Sequence, residues 1–143
     1  MNMKRVIKLG IFIILSVMIQ PNIAEDLKRS LSIENAQVYI ISPKNGATVP
    51  TTFKVIFGLS GMGISPAGFN KEFTGHHHLL INGDMPDFLK PLGINVKHFG
   101  GGQTEDFVTL PKGKHTLSLI LGDYLHRPHN PAVVSEEIVV YVK

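Results

Sequence analysis

The sequence predicts an all-β domain: an antiparallel immunoglobulin-like β-sandwich of six to seven strands, preceded by a signal peptide. Three observations lead there. Segments rich in branched and aromatic residues recur at fairly regular spacing, Gly- and Pro-rich turns separate them, and no long helical pattern appears after the first 24 residues. A chain of 143 residues has room for one hydrophobic core of this kind, not two.

The elements follow in order. "MNMKRVIKLGIFIILSVMIQPNIAED" opens with Lys4, Arg5 and Lys8, continues with an apolar run from Leu9 to Ile19, and meets Pro21 and then Ala24. A basic end, a short apolar middle and a small residue make a secretory signal over 1–24. The apolar run is shorter than the roughly 20 residues that span a bilayer, so membrane contact is expected only during export. Residues 25–35 are polar and read as a linker, leaving 36–143 for the sandwich.

Within the domain, "AQVYIIS" (36–42) is the first strand. "PKNGATVPTT" turns the chain through Asn45-Gly46 and two prolines. "FKVIFGLSG" (53–61) alternates, with Phe53, Val55, Phe57 and Leu59 on one face, the period of a half-buried strand. Residues 62–73 read as a loop, "HHHLLIN" (76–82) as a strand, and 83–97 as a long loop with two prolines and two glycines. "HFGGGQTE" turns, "TEDFVTL" (104–110) is a strand, and "PKGK" turns again. "HTLSLILGD" (115–123) alternates Leu117, Leu119 and Leu121 against Thr116 and Ser118; "YLHRPHNP" is a loop and "VVSEEIVVYV" the last strand.

Charge and cysteine content narrow the function classes. The formal +3 comes from 14 Lys and Arg against 11 Asp and Glu. Lys4, Arg5 and Lys8 belong to the signal and every acidic residue follows Ala24, so the remainder is formally neutral. No basic face is implied, and no nucleic-acid partner is expected. The absence of cysteine excludes disulfides, thiolate metal sites and a lipid-linked cysteine.

The histidines are the informative residues. In a strand, His76 and His78 point one way and His77 the other. The face holding His77, Leu79 and Ile81 is the more apolar, so His77 is assigned to the core. His76 and His78 are expected together on a shallow polar site. An H-x-H pair has backbone positions about 7 Å apart and can converge on one ion at about 2.0–2.1 Å. Further ligands have to come from loops, and His98, Asp123, His126 and His129 are the candidates. Copper and zinc are the ions that imidazole suits. Binding by neutral imidazoles is expected to weaken as pH falls through about 6.5. His115 reads differently. It shares parity with Leu117 and Leu119 just after a turn, where a tyrosine often ties immunoglobulin-like sandwiches, so it is assigned a structural hydrogen bond.

Other motifs carry no chemistry. "FGGGQTE" lacks the Lys-Ser/Thr and the helix of a phosphate loop and reads as a turn needing positive φ. "GMGISPAG" lacks the G-x-S-x-G of a nucleophile elbow. Glu105-Asp106 and Glu136-Glu137 are strand neighbours pointing to opposite faces, which makes them poor acid/base pairs. No catalytic residue is assigned.

The segments "ISPKNGATV", "FKVIFGLSGMGISPAG", "TGHHHLLI", "HFGGGQTE", "LPKGKHTLSLILGD" and "RPHNPAVVSE" together resemble the bacterial family called domain of unknown function 4399, over about residues 37–142. The resemblance implies a small exported β domain and carries over no activity. It marks His76, His77, His78, His98, Gly100, Gly101, Gly102, Gln103, Asp123, His126 and His129 as belonging to the family pattern. The chain departs from it at Tyr124, where related chains tend to have histidine. Ser42, Pro43, Gly46, Ala47, Thr48 and Val49 are also similar to the opening of the small periplasmic copper-resistance protein C type of sandwich, a likeness of fold.

Two function classes follow. One is a periplasmic or secreted sandwich that binds copper or zinc. The other is a non-catalytic envelope module, binding a protein or glycan, whose histidines and glycines order its loops. An enzyme ranks third.

Overall fold

The computed structural model describes residues 28–143. The signal expected over 1–24 and the start of the linker lie outside them. The described residues form the antiparallel immunoglobulin-like sandwich that the sequence predicts. Nine strands follow one another: β1 (Gln37–Ser42), β2 (Ala47–Val49), β3 (Thr52–Ser60), β4 (Gly63–Ile64), β5 (Thr74–Ile81), β6 (Val96–His98), β7 (Glu105–Thr109), β8 (Gly113–Gly122) and β9 (Ile138–Val142). One sheet has the order β1-β3-β7. The other runs β2-β9-β8-β5-β4, with β6 also on β5.

The six long strands are those read from the sequence. The three short ones occupy segments that the sequence marks as turns or loops. β2 and β4 lie parallel to β9 and β5, and β6 lies antiparallel to β5. Each exists because a distant strand offers it an edge, a cause no local pattern carries.

The core lies between the sheets and follows the period of two. Val38, Phe53, Val55, Phe57 and Val108 face Leu79, Leu117, Leu119, Leu121, Val140 and Val142. The large sheet is buried on its outer face as well. There Leu80, Leu92, Val96 and Ile120 form a second apolar cluster with Val134 packed on it, under the loop that leads into β6 and the segment that follows β8. Both faces of β5 are therefore covered, and every residue from Thr74 to Leu80 is buried.

The last strand is shorter than expected. Val134 bridges Ile120, and the Leu119 amide donates to Ser135 Oγ at 2.8 Å in place of a backbone carbonyl. Regular pairing resumes at Ile138 opposite Leu117. The interruption at Glu136-Glu137 shifts the parity: Val133 faces the core before it, Val140 and Val142 after it. A bulge keeps two carboxylates exposed while the strand stays in the sheet.

Residues at the end of the expected linker are tied down. Ser32 N–H donates to Asn130 O, Asn130 N–H donates to Ser30 O, and Leu31 bridges Asn130. Arg29 donates to the carbonyls of Pro128 and His129.

Candidate metal centre

β5 is the frame of the site. β8 pairs along one of its edges, setting His76 opposite Gly122, His77 opposite Leu121 and His78 opposite Ile120. β6 pairs along the other edge and sets His98 directly opposite His78. Residues opposite each other in a ladder share a face, so His98 joins His76 and His78 on the outer side of the large sheet.

The next imidazole comes from the loop after β8. Asp123 Oδ1 accepts the backbone N–H of Leu125 at 2.9 Å and of Arg127 at 3.0 Å. His126 N–H donates to Asp123 O at 2.9 Å, and Leu92 N–H donates to His126 O at 2.7 Å. This turn holds His126 at a φ of 61°, in the left-handed region. Its ring then stands 4.8 Å from that of His76, 5.6 Å from His78 and 5.0 Å from His98, centroid to centroid. His76 lies 4.6 Å from His78, and His78 4.7 Å from His98. Within this cluster, His76, His78 and His126 each offer a ring nitrogen within 4.8 Å of the other two.

The parity expected for the triple histidine is the one observed, but the exposure is not. His76 and His78 were expected on a shallow polar surface; all three histidines are 0 % exposed. His126, from the loop after β8, and His98, on β6, stand against the two rings. The apolar count along β5 could not register this cover, because its residues lie far away in sequence. Only His98 is exposed, and His126 is partly so. His77 points into the core, 5.1 Å from the Phe57 ring, with Nδ1 3.3 Å from Gln103 O. The glycine turn supplies that carbonyl. Gly102 has a φ of 80° and donates to Phe99 O.

Asp123 and His129 stand apart from the cluster as donors. Besides its two backbone contacts, Asp123 accepts the Ser30 hydroxyl on Oδ2 at 3.0 Å and pairs with Arg127 at 3.6 Å. His129 is buried beneath the sheet end, its ring nitrogens 3.2 Å from Leu121 O and 3.1 Å from Thr74 O. Each is committed to holding the loop. His115 is placed as the sequence indicates: Nε2 donates to Pro111 O at 2.8 Å, and Nδ1 accepts from Asn82 Nδ2 at 2.7 Å.

Two glycines also shape the site. A Cβ on Gly122 would lie 2.4 Å from Cε1 of His78, so the His78 ring packs on bare backbone. A Cβ on Gly75 would lie 2.4 Å from Gly122 O and 2.8 Å from Cε1 of His129. For Gly122 the available signal is a glycine within the 115–123 strand pattern, which marks a close approach; Gly75 lies just before the strand read at 76–82.

The electrostatics favour neutral rings. Burial pushes His76 down to about 4, helped by His126 and His98 and opposed by Asp123. Burial pushes His78 down to about 2, with His76, His98 and His126 adding to it. His126 is lowered by burial and then by His98, against Asp123. His77 is lowered by burial. Neutral imidazoles are the form that binds a transition ion.

The family model described as "Domain of unknown function (DUF4399)" matches residues 55–143, and the chain belongs to that family. Among solved structures, it is similar to one described as Clostridium thermocellum CbhA fibronectin(III)-like modules, with 16 % identity, a TM-score of 0.43, and coverage of 75 % of this chain and 96 % of the other. Comparison with curated proteins finds no match.

Proposed function

We propose that this member of the domain of unknown function 4399 family is an exported, periplasmic protein that binds one divalent transition ion, copper or zinc, through His76, His78 and His126. One observation carries the reading. Neither ring of the His76–His78 pair makes a hydrogen bond of ordinary geometry with the described residues, although both are fully buried. An unsatisfied buried polar group costs about 1–3 kcal/mol. Clustering such groups against a further imidazole is costly unless something accepts their lone pairs. A metal ion does so. Donor atoms around a tetrahedral ion with nitrogen bonds of about 2.0–2.1 Å lie about 3.3 Å apart. The ion therefore draws the three nitrogens in from their spread of up to 4.8 Å. The cluster offers only imidazole nitrogen, a donor that suits copper and zinc over magnesium or calcium.

Calorimetric titration of the purified protein with copper(II) and zinc(II) tests the reading. One equivalent is expected to bind. The double change His76→Ala with His78→Ala abolishes binding, whereas His77→Ala lowers stability and leaves one equivalent bound. If the parent protein gives no binding heat with either ion, the cluster is packing alone and the structural module is the better reading. Export rests on Lys4, Arg5, Lys8 and the short apolar run. Protein recovered from the periplasm should have a mass beginning near Glu25, and a mass that still includes Met1 contradicts cleavage.

A further inference from the structure

His98 differs from His76 and His78 in exposure and in the strand that carries it, and from His126 in exposure. It is exposed, whereas His76 and His78 are fully enclosed and His126 is partly covered. It sits on β6, a strand of three residues at the edge of β5, whereas His76 and His78 lie inside an eight-residue strand paired on both sides. Its ring stands over His78 and His126, at 4.7 and 5.0 Å, yet it is not among the donors that lie mutually within 4.8 Å. Its Nε2 is 2.9 Å from Gly93 O, a carbonyl, so that nitrogen carries the proton and donates. Nδ1 is then left with its lone pair. A histidine whose second nitrogen donates to a backbone carbonyl is the usual arrangement of a metal ligand.

Coordination number gives the same direction. Three imidazoles leave one position of a tetrahedral ion open. Asp123 is the carboxylate that acts on His76 and His126. Its oxygens are already taken by Ser30, by the Leu125 and Arg127 amides and by the Arg127 side chain. The remaining position on the ion therefore faces the His98 side, where solvent reaches.

Resting on the three-histidine reading, we propose that His98 Nδ1 is the fourth and exchangeable ligand. The ion enters and leaves by trading this imidazole for an incoming nitrogen donor, such as a histidine side chain of an acceptor. The three inner ligands hold the ion while the outer one swings away. This makes the centre a hand-over site rather than a sealed structural one.

The test is chemical rescue in the copper(II)-loaded protein, followed by its visible absorption and electron paramagnetic resonance. His98→Gly is expected to retain one equivalent of copper with an affinity on the order of 10–100-fold lower, and to show an altered spectrum. Added free imidazole restores the parent spectrum. His76→Gly, closed off from solvent, is not restored. If His98→Gly has the parent spectrum, or if imidazole leaves its altered spectrum unchanged, the assignment of His98 is overturned. Rescue of His76→Gly to the same extent overturns the proposed route. If the parent protein itself binds no copper, the three-histidine reading fails first, and the two failures are told apart.

Discussion

Replacing Gly122 by alanine puts a methyl carbon where the His78 imidazole lies. The new Cβ would sit 2.4 Å from Cε1, 2.8 Å from Nδ1 and 3.3 Å from Nε2 of that ring. Ordinary contact begins about 1 Å further out, so the ring has to shift by about that much. It has little freedom to do so. His78 is fully buried, with His76 at 4.6 Å, His98 at 4.7 Å and Ile120 opposite it in the ladder. Overpacking of this kind costs about 1–3 kcal/mol. With a urea slope of about 1–3 kcal/mol/M, the unfolding midpoint falls by on the order of 1 M. The effect on the ion is separate. On the proposed three-histidine reading, a His78 displaced by about 1 Å from a bond of about 2.0–2.1 Å no longer bonds well, so copper or zinc affinity is expected to drop at least tenfold. Urea unfolding and calorimetric titration of the same sample read both quantities. Parent-like midpoint and affinity together would refute the argument that bare backbone at Gly122 seats His78.

Two further outcomes follow from the same geometry. His115→Ala removes the hydrogen bonds to Pro111 O and Asn82; it should cost about 1–3 kcal/mol in urea unfolding while ion affinity stays unchanged, and weaker ion binding with unchanged stability would reverse the assignment. For pH, His76, His77, His78 and His126 all lie below the ordinary histidine value in the folded chain. The unfolded chain therefore takes up protons first as pH falls. Stability of the ion-free protein is full above about 6.5 and declines toward about 4 and below, by about 1.4 kcal/mol per pH unit for each proton of difference. Ion binding by the buried rings should likewise persist below 6.5, lower than the sequence alone suggests. A urea midpoint that stays flat between pH 7 and 5 would contradict this.

The strands that carry the core were legible because their cause is local. Phe53, Val55 and Phe57, and Leu117, Leu119 and Leu121, alternate in the sequence and point inward in the fold. Parity likewise separated His77 from His76 and His78. What was not legible depends on distant segments. β4 and β6 form only because β5 offers an edge, and the cover over His76 and His78 comes from residues after Gly83 and after Gly122. Asp123 shows the limit most clearly. A carboxylate beside two histidines reads as a ligand, but only the fold shows its oxygens spent on Ser30, Arg127 and two amides.

That expenditure bears on how a loop residue can take part in a fixed site. His76 and His78 are placed by a ladder bonded on both sides, whereas His126 lies on a connection that would otherwise move. Asp123 replaces the missing ladder. Its Oδ1 gathers the amides on either side of His126, and its backbone bonds with Arg127 and His126 close the turn. Its Oδ2 reaches Ser30, on the segment that also pairs with Asn130 and donates from Arg29 to Pro128 and His129. The stretch before β1 is thereby fastened along the length of the His126 loop, and His129 fastens the loop's far end to Leu121 and Thr74. The loop that carries His126 is thus anchored at its turn, along its side and at its end. Asp123 and His129 serve the cluster by holding its loop histidine in place through these contacts.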